Sequence, residues 1–270
     1  MKNLDFFFKK PFVAPNATIY SYLVGKRFIV KPPTSLLEVG CGVGPFCFRY
    51  AKAFPETRIT AMDVSEQTIG FLENQFGKSH DNLSFVHGDF CQNLPKLGKF
   101  DCIYSSDVFE HVAQPKAFVD NFWRHLNPGG QFVLNFPNVE THGVNHFNSF
   151  EEVKALFSAF DRVRIWRVKI GRGPYCFYEN IRSLYERFFS PESKINRENI
   201  YGGPHLGVDS FEKSTCFSFV TKKNKWLLGV VHFISEMLSL VPPKIRIKEI
   251  QNGSLRNIPR LGITGNKPFP

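Results

Sequence analysis

The residues with the clearest chemical potential lie in a short acidic and glycine-rich stretch near the start of the chain. Glu38 ends an apolar run, and three glycines follow it at every second position: Gly40, Gly42 and Gly44. The apolar run predicts a buried parallel strand, and a segment of helical character follows at residues 46–54. Glycines at such a turn let the backbone approach a ligand with no side chain in between. Strand, glycine turn and helix are the first unit of a doubly wound nucleotide-binding fold.

The spacing of the glycines bears on the kind of nucleotide. A dinucleotide site has the pattern G-x-G-x-x-G, whereas this chain has Pro45 where the third glycine should stand. The pattern E-x-G-x-G-x-G, which begins at Glu38, resembles motif I of the class I S-adenosylmethionine-dependent methyltransferases. S-adenosylmethionine carries a cationic sulfonium and an ammonium group, and both favour a nearby carboxylate. A glycine turn that only packs a helix on a sheet is the alternative at this point.

Further acidic residues follow the second and third predicted strands. Asp63 ends the second strand, where a carboxylate can accept hydrogen bonds from both ribose hydroxyls of an adenosine. Its alternative role is that of a helix N-cap. Asp89 and Phe90 follow the third strand. The resemblance implies that this acidic residue meets the adenine amino group and that the Phe90 ring lies against the adenine.

Two more motifs extend the resemblance over roughly residues 35–170. The fourth predicted strand, residues 100–105, continues into D-V-F-E-H-V at 107–112, and L-x-P-G-G follows at 126–130 as a turn before the fifth strand. The family resemblance implies an α/β fold with a doubly wound, Rossmann-like and mostly parallel seven-stranded sheet. Helices would cover both faces, and the last strand, expected at 215–221, would be antiparallel. The resemblance also implies these cofactor-binding residues: Glu38, Gly40, Cys41, Gly42, Asp63, Val64, Asp89, Phe90 and Ser106.

Three histidines are candidates for a general base that removes a proton from the methyl acceptor. His111 follows the fourth strand, near the expected position of the methyl group, and His142 and His146 lie in the loop after the fifth strand. The alternative for His111 is a structural role together with Glu110. The two loop histidines could equally be solvated.

The same stretch also resembles a metal site. The sequence Asp107-x-x-Glu110-His111 resembles the E-x-x-E-H metal site of quinone-biosynthesis O-methyltransferases, and its oxygen and nitrogen donors suit Mg²⁺ or Zn²⁺. The same sequence also occurs in relatives that bind no metal. We therefore expect no metal here.

Composition divides the chain into three parts. Residues 1–34 are expected to form an N-terminal helical preface, residues 35–222 the methyltransferase domain, and residues 223–270 a basic C-terminal extension. Within the domain, the aromatic- and arginine-rich segment 171–214 is interpreted as an insert that caps the substrate. A helix that only covers the sheet edge is the alternative for this segment.

The C-terminal part carries most of the net charge of the chain, which is +10. From residue 222 onward there are nine Lys or Arg residues and two Glu residues. Residues 226–241 have apolar side chains at helical spacing, and basic residues flank them on both sides. A bilayer span takes ~20 apolar residues, so this helix is too short to cross a membrane, and we expect it to dock on the domain or on a second subunit. The alternative is peripheral contact with an anionic membrane through residues 222–248.

The chain has six cysteines without a C-x-x-C pair, which indicates reduced thiols in a cytoplasmic protein that is peripheral at the membrane if the tail meets it. The expected function is methyl transfer from S-adenosylmethionine to a small-molecule acceptor, at oxygen, with a lipid-linked or glycan precursor as a candidate. Nucleic acid is disfavoured because no N-P-P-Y-type motif follows the fourth strand. The alternatives are a non-catalytic cofactor-binding partner, a nucleic-acid or protein methyltransferase, and a nicotinamide oxidoreductase.

Overall fold

A computed structural model describes residues 15–42, 44–78, 80–139, 143–170 and 245–270. Within these ranges eight strands form one sheet. The strands are β1 (Ser35–Val39), β2 (Arg58–Asp63), β3 (Leu83–His87), β4 (Phe100–Ser106), β5 (Leu126–Pro137), β6 (Asp161–Ile170), β7 (Ile245–Ile250) and β8 (Arg260–Asn266). The helices of the same ranges are α1 (Pro15–Phe28), α2 (Pro45–Ala53), α3 (Glu66–Phe76), α4 (Pro115–His125) and α5 (Phe150–Leu156), with a 3₁₀ helix at Phe109–His111.

The strand order is β3-β2-β1-β4-β5-β8-β6-β7. The first six strands in the chain share one direction, whereas β7 and β8 run against them. Strand β1 lies between β2 and β4, so the order of the sheet reverses there. Ligands of doubly wound folds bind at the carboxyl ends of the strands beside such a switch point. The predicted doubly wound, mostly parallel sheet is confirmed, with eight strands instead of seven.

Each face of the sheet is covered by its own apolar cluster. On one face, side chains of α1, α2 and α3 pack against the sheet, with Phe46 and Tyr50 fully buried. On the other face, α4, α5 and the residue after α5 contribute a dense group of phenylalanines that includes Phe118, Phe122 and Phe157. Burial of such rings supplies much of the stability of a core. The prediction of helices on both faces is therefore confirmed.

The N-terminal helix is part of this packing. Val24 and Phe28 of α1 are buried in the cluster with α2. The Tyr104 hydroxyl of β4 donates a hydrogen bond to the Ser21 carbonyl oxygen at 2.8 Å. Helix α1 is thus fixed to the sheet through both apolar and polar contacts.

The last antiparallel strand lies elsewhere than expected. Residues 215–221, to which the sequence analysis assigned it, are outside the described residues, and the reversed strand between β5 and β6 is β8. Strand β8 is difficult to predict from the sequence because it contains two glycines, which are unfavourable in strands. A Cβ atom at Gly262 would lie 2.7 Å from the Phe28 ring, and one at Gly265 would lie 2.6 Å from the Phe132 ring. The glycines are needed because aromatic rings pack on this strand.

Residues 223–270 are therefore not simply an extension outside the domain. Strands β7 and β8 both belong to the sheet. The Lys267 ammonium also donates hydrogen bonds to the Trp123 and Leu126 carbonyl oxygens at 2.8 and 3.1 Å, where α4 ends. A lysine in this position satisfies carbonyl groups that a helix terminus leaves unpaired.

One boundary also differs from expectation. The Pro128-Gly129-Gly130 stretch is not a turn before β5, because β5 begins at Leu126 and the stretch forms an irregularity in its pairing with β4. Helix α5 has Ser149 as its N-cap, and the Ser149 side chain accepts a hydrogen bond from the Glu152 amide.

We expect Ile263→Ala in β8 to lower the free energy of unfolding by about 2–5 kcal/mol, as large-to-small changes in a core do. Ile263 is fully buried and pairs with Leu134 of β5 and Ile165 of β6. Equilibrium urea denaturation measures the change. Gln251→Ala, at an exposed position just after β7, is the control and should stay within about 0.5 kcal/mol of wild type. Equal values for the two variants would show that β8 does not support the core.

Candidate active site

The glycine turn brings bare backbone to the open end of β1. Gly40, Gly42 and Gly44 all have positive φ, at 74°, 50° and 80°, a region that side chains disfavour. The Gly40 and Cys41 amides both donate to the Met62 carbonyl oxygen, at 2.8 and 2.9 Å. A Cβ at Gly40 would collide with the Val108 side chain, whereas one at Gly42 would meet open space. The turn is therefore packed on its inner side and open at Gly42.

Asp63 ties this turn to the end of β2. Its Oδ2 accepts a hydrogen bond from the Gly42 amide at 2.8 Å, and its Oδ1 accepts one from the Ser65 amide at 3.0 Å. Ser65, not Asp63, is the N-cap of α3, so the capping alternative does not hold. Because each carboxylate oxygen can accept a second hydrogen bond, Asp63 retains acceptor capacity for a ligand.

Glu38 is a buried acid directly below the turn. Burial raises its pKa well above the ordinary value and the nearby Asp63 charge adds to this, whereas hydrogen bonds from Cys47 oppose it. No described residue provides a hydrogen-bond partner for its Oε2. An unsatisfied buried carboxyl oxygen is costly, and a cationic ligand group would satisfy it.

The structure changes the expected apolar contact for an adenine ring. The Phe90 ring is buried in the core, 5.3 Å from the Phe118 ring and 5.6 Å from the Phe122 ring, so it cannot stack on a ligand. The predicted contact between the Phe90 ring and an adenine is wrong, because the ring packs against Phe118 and Phe122 of α4. Val64, next to Asp63, is instead 53% exposed. The Val64 side chain thus offers an apolar surface at the end of β2, beside Asp63.

Asp89 lies at the end of β3, as expected. Its Oδ1 accepts a hydrogen bond from the Cys91 amide at 2.8 Å, which shapes the loop after the strand. Its side chain remains partly exposed. Asp89 and Val64 therefore both lie at the carboxyl edge next to the switch point.

Polar side chains at the end of β4 are linked by hydrogen bonds. Ser106 Oγ accepts a hydrogen bond from Asn135 Nδ2 at 2.9 Å and donates one to Asp107 Oδ2 at 3.1 Å. Asp107 has a φ of 59°, unusual for a residue with a side chain. Its Oδ1 lies 2.6 Å from Nη1 of Arg260, the first residue of β8. Sequence analysis missed Arg260 because no local motif marks it, and only the antiparallel strand brings it here.

Glu110 and His111 follow in the 3₁₀ helix. Glu110 is 2% exposed, and burial together with the Asp107 charge raises its pKa to about 8, while Arg260 acts in the opposite direction. His111 Nε2 lies 3.8 Å from Glu110 Oε1, and the His111 side chain is 26% exposed. His111 therefore combines partial access with an acidic neighbour.

Two of the acidic residues that resemble metal ligands are in states that do not favour a metal ion. Asp107 is paired with Arg260, and the raised pKa of Glu110 favours its protonated form near neutral pH. Among the described residues, no group of three or more His, Cys, Asp or Glu side chains is arranged to hold a metal ion.

The loop after β5 is held against the 3₁₀ helix. The Val144 amide donates to the Glu110 carbonyl oxygen at 2.7 Å, and Asn145 Nδ2 donates to the Phe109 carbonyl oxygen at 2.8 Å. His146 follows directly and is partly buried, while His142 lies outside the described residues. The loop that carries His146 is thus fixed to the element that carries His111.

Part of the chain is similar in sequence to known methyltransferases. Residues 37–132 match a family model described as a methyltransferase domain. Malonyl-[acyl-carrier protein] O-methyltransferase 2 of Ilyobacter polytropus is 30% identical over 122 residues, 45% of each chain. The chain spans about half or less of the curated relatives that it matches first.

Two solved structures share the fold. Phosphoethanolamine N-methyltransferase 2 of Haemonchus contortus, in complex with phosphomonomethylethanolamine and S-adenosylhomocysteine, has a TM-score of 0.53 at 14% identity, over 92% of this chain and 52% of its own. The [4+2]-cyclase SpnF has a TM-score of 0.52 at 17% identity, over 94% and 82%. The fold is that of a Rossmann-like domain. Residues 37–132 are similar to a methyltransferase domain, and the solved structures that share the fold include a complex with S-adenosylhomocysteine.

The pKa of Glu110 predicts a pH-dependent effect of Glu110→Gln. The folded chain keeps the Glu110 proton up to about pH 8, whereas the unfolded chain releases it near the usual pKa of about 4.3. Between these values the folded state binds more protons, so the stability contributed by Glu110 falls as pH rises. The glutamine side chain of the variant does not titrate, so it makes no such pH-dependent contribution. We therefore expect the unfolding free energy of the variant, relative to wild type, to increase between about pH 5 and pH 8.

Urea denaturation at several pH values measures this difference. Glu151→Gln, which changes an exposed glutamate in the first turn of α5, is the matched control and should differ from wild type by the same amount throughout. A constant difference for Glu110→Gln as well would show that the carboxyl is ionised in the folded chain.

Proposed function

We propose that this chain is an S-adenosylmethionine-dependent methyltransferase that acts on a small-molecule acceptor. The observation that carries the proposal is the Asp63 carboxylate, which holds the Gly42 amide on one side and keeps acceptor capacity at the open edge. S-adenosylmethionine is the cofactor that this family uses. Its ribose hydroxyls would donate to Asp63, and the bare backbone of the glycine turn would lie beside it.

The remaining site residues suit the two ends of this cofactor. Val64 offers an exposed apolar surface for the adenine ring, and Asp89 offers a carboxylate for the adenine amino group. Glu38 provides a buried carboxyl oxygen for the cationic end. Cys41 contributes backbone at the turn, and Ser106 ends β4 on the acceptor side.

Methyl transfer asks little covalent chemistry of the protein, because the sulfonium methyl is already activated and its leaving group is a neutral thioether. Alignment of the acceptor with the S–CH₃ bond supplies ~7–11 kcal/mol in well-oriented systems. A hydroxyl acceptor must also lose a proton, and a general base contributes ~10²–10⁴-fold. His111, beside Glu110 and partly exposed, is our candidate for the base, with His146 as a second candidate. This supports oxygen as the acceptor atom.

An acidic group on the acceptor fits the charges at this edge. Arg260 lies 2.6 Å from Asp107 beside the end of β4, so an acceptor carboxylate or phosphate could compete with Asp107 for the guanidinium. The two methyltransferases described above have malonyl and phosphoethanolamine in their names, and both groups are acidic. A lipid-linked or glycan precursor with an acidic group is a suitable candidate.

Segment 171–214 is our candidate for a substrate cap. Ile170, which precedes the segment in the chain, is the last residue of β6 and lies at the carboxyl edge of the sheet, as the site does. The free thiols of Cys41, Cys47 and Cys102, all buried, suit the cytoplasmic location expected from the sequence.

The principal alternative is a protein that binds the cofactor without methyl transfer. The [4+2]-cyclase SpnF shares the fold, so the fold alone does not fix the reaction. Release of S-adenosylhomocysteine with an acidic small-molecule acceptor would support our proposal over this one. Release only with nucleic acid or protein acceptors would favour those substrate classes.

We expect Asp63→Asn to weaken S-adenosylmethionine binding by roughly 10–100-fold, since a hydrogen bond to a charged group contributes about 1.5–3 kcal/mol. Isothermal titration calorimetry measures the affinity, with NAD as a ligand that should not bind. Asp81→Asn, at an exposed position before β3, is the control and should bind as wild type does. Unchanged affinity in Asp63→Asn would show that Asp63 does not bind the ribose hydroxyls.

We expect His111→Ala to lower kcat by roughly 10²–10⁴-fold while S-adenosylmethionine affinity changes little, because a base acts on the acceptor and not on the cofactor. S-adenosylhomocysteine release gives the rate and calorimetry gives the affinity. His80→Ala, just before β3 at the opposite edge of the sheet, is the control. Full turnover in His111→Ala would exclude the base, and an equal loss of cofactor affinity would indicate a structural role.

A further inference from the structure

Strands β6 and β7 carry four cations in two directly opposed pairs. Arg167 is the pairing partner of Lys248, and Lys169 is the partner of Arg246. Residues opposite each other in an antiparallel pair share a face, and so do residues two apart on one strand. The four side chains therefore form one basic ladder on one face of the sheet. Lys169, Arg246 and Lys248 are exposed and Arg167 is partly buried.

This arrangement is unfavourable for folding. The Cβ atoms of directly opposed residues are about 4.5–5.5 Å apart, and like charges at that spacing destabilise a sheet. None of the four forms an ion pair with a residue that the structure describes. Glu249, the acidic residue of β7, lies on the other face with Arg164, 3.9 Å away. Glu249 is therefore not on the face of the four cations. An acidic residue at the neighbouring position 248 would have reduced the repulsion between them.

Protection of a sheet edge does not account for the whole ladder. Strand β7 is the last strand of the sheet, and lysine or arginine on an edge strand prevents pairing with another chain. Arg246 and Lys248 could serve that purpose alone. Arg167, however, pairs with Leu261 of β8 on one side and with Lys248 of β7 on the other, so it has no free edge. A cation at this inner position requires a different reason.

The chain around the ladder indicates that reason. Ile170 pairs with Ile245, so segment 171–244 leaves and re-enters the sheet next to Lys169 and Arg246. The end of this segment contains the amphipathic sequence 226–241 and the basic residues Lys222, Lys223, Lys225 and Lys244. An apolar stripe bordered by cations is what an anionic bilayer surface binds. Nucleic acid would use the cations but not the stripe.

We propose that the basic ladder of Arg167, Lys169, Arg246 and Lys248 docks the protein on an anionic phospholipid surface. Within the described residues no helix is of sufficient length and apolarity to traverse a bilayer, and the docking proposed here is peripheral. The carboxyl edge of the sheet, where the ladder ends, would then face the membrane. This proposal does not rest on the proposed function, because binding to vesicles requires neither cofactor nor methyl transfer.

Flotation of the full chain with phosphatidylcholine vesicles, with and without phosphatidylserine, tests the proposal. Removal of the C-terminal region is not a usable variant, since it would remove β7 and β8 from the sheet. Instead, Arg167→Gln with Lys169→Gln neutralises the inner strand and keeps both edge cations. One basic residue near an anionic leaflet strengthens binding roughly fivefold, so we expect this double variant to bind about 25-fold more weakly.

Two matched variants accompany it. Lys52→Gln with Lys96→Gln removes the same net charge at exposed positions away from the ladder and should retain most of the binding. Arg167→Lys with Lys169→Arg keeps the charges and should bind as wild type does. The thermal midpoint of the neutralised variant should equal or exceed that of wild type because repulsion has been relieved, which separates lost docking from lost folding.

Several results would overturn the proposal. Wild-type protein that floats equally with and without phosphatidylserine, or not at all, has no anionic membrane surface. Equal losses in the ladder variant and the Lys52, Lys96 control would indicate a response to net charge alone. Full binding by the ladder variant would leave edge protection as the role of β7. Displacement of the protein from vesicles by oligonucleotides at lower concentration than by soluble phosphate esters would indicate a nucleic-acid surface instead.

Discussion

The hydrogen bonds of the Asp63 carboxylate join the two loops on which the cofactor edge depends. One oxygen accepts from Gly42 in the loop after β1, and the other accepts from Ser65 in the loop after β2. Hydrogen bonds to an ionised acceptor are roughly twice as strong as neutral ones. They keep the glycine turn in its positive-φ conformation before any ligand arrives. A cofactor that binds to such a preformed edge loses less affinity to the ordering of loops.

Two buried carboxyl groups lie at the carboxyl ends of the strands around this edge. Glu38 is below the glycine turn and Glu110 is in the 3₁₀ helix after β4, and burial raises the pKa of each. A neighbouring carboxylate adds to both shifts, from Asp63 and Asp107 respectively. Such groups are stable as neutral acids or beside a cation. Arg260 supplies positive charge near Glu110, whereas at Glu38 the cationic end of the cofactor would do so.

The residues of the candidate site whose place in the fold follows from the sequence are those that belong to one local pattern. Glu38, the glycines and Asp63 are separated by single strand–turn–helix units, so their spacing fixes their positions. The doubly wound order follows from the same alternation of strands and helices. Phe90 shows where this reasoning fails, since its pattern is compatible with both a ligand and a core, and only the packing of α4 decides between them.

Arg260 shows a second kind of failure, because its position depends on the direction of a strand. A parallel strand begins at the edge opposite the site, whereas an antiparallel strand begins where its parallel neighbours end. Arg260 is the first residue of β8 and pairs with Pro137, the last residue of β5. Because β8 is antiparallel to β5, Arg260, which is far from Asp107 in the sequence, lies next to it in the structure. Glycines allow β8 to pack against Phe28 and Phe132. The same glycines lower the strand propensity of this segment, so β8, and with it the position of Arg260, is difficult to predict from the sequence.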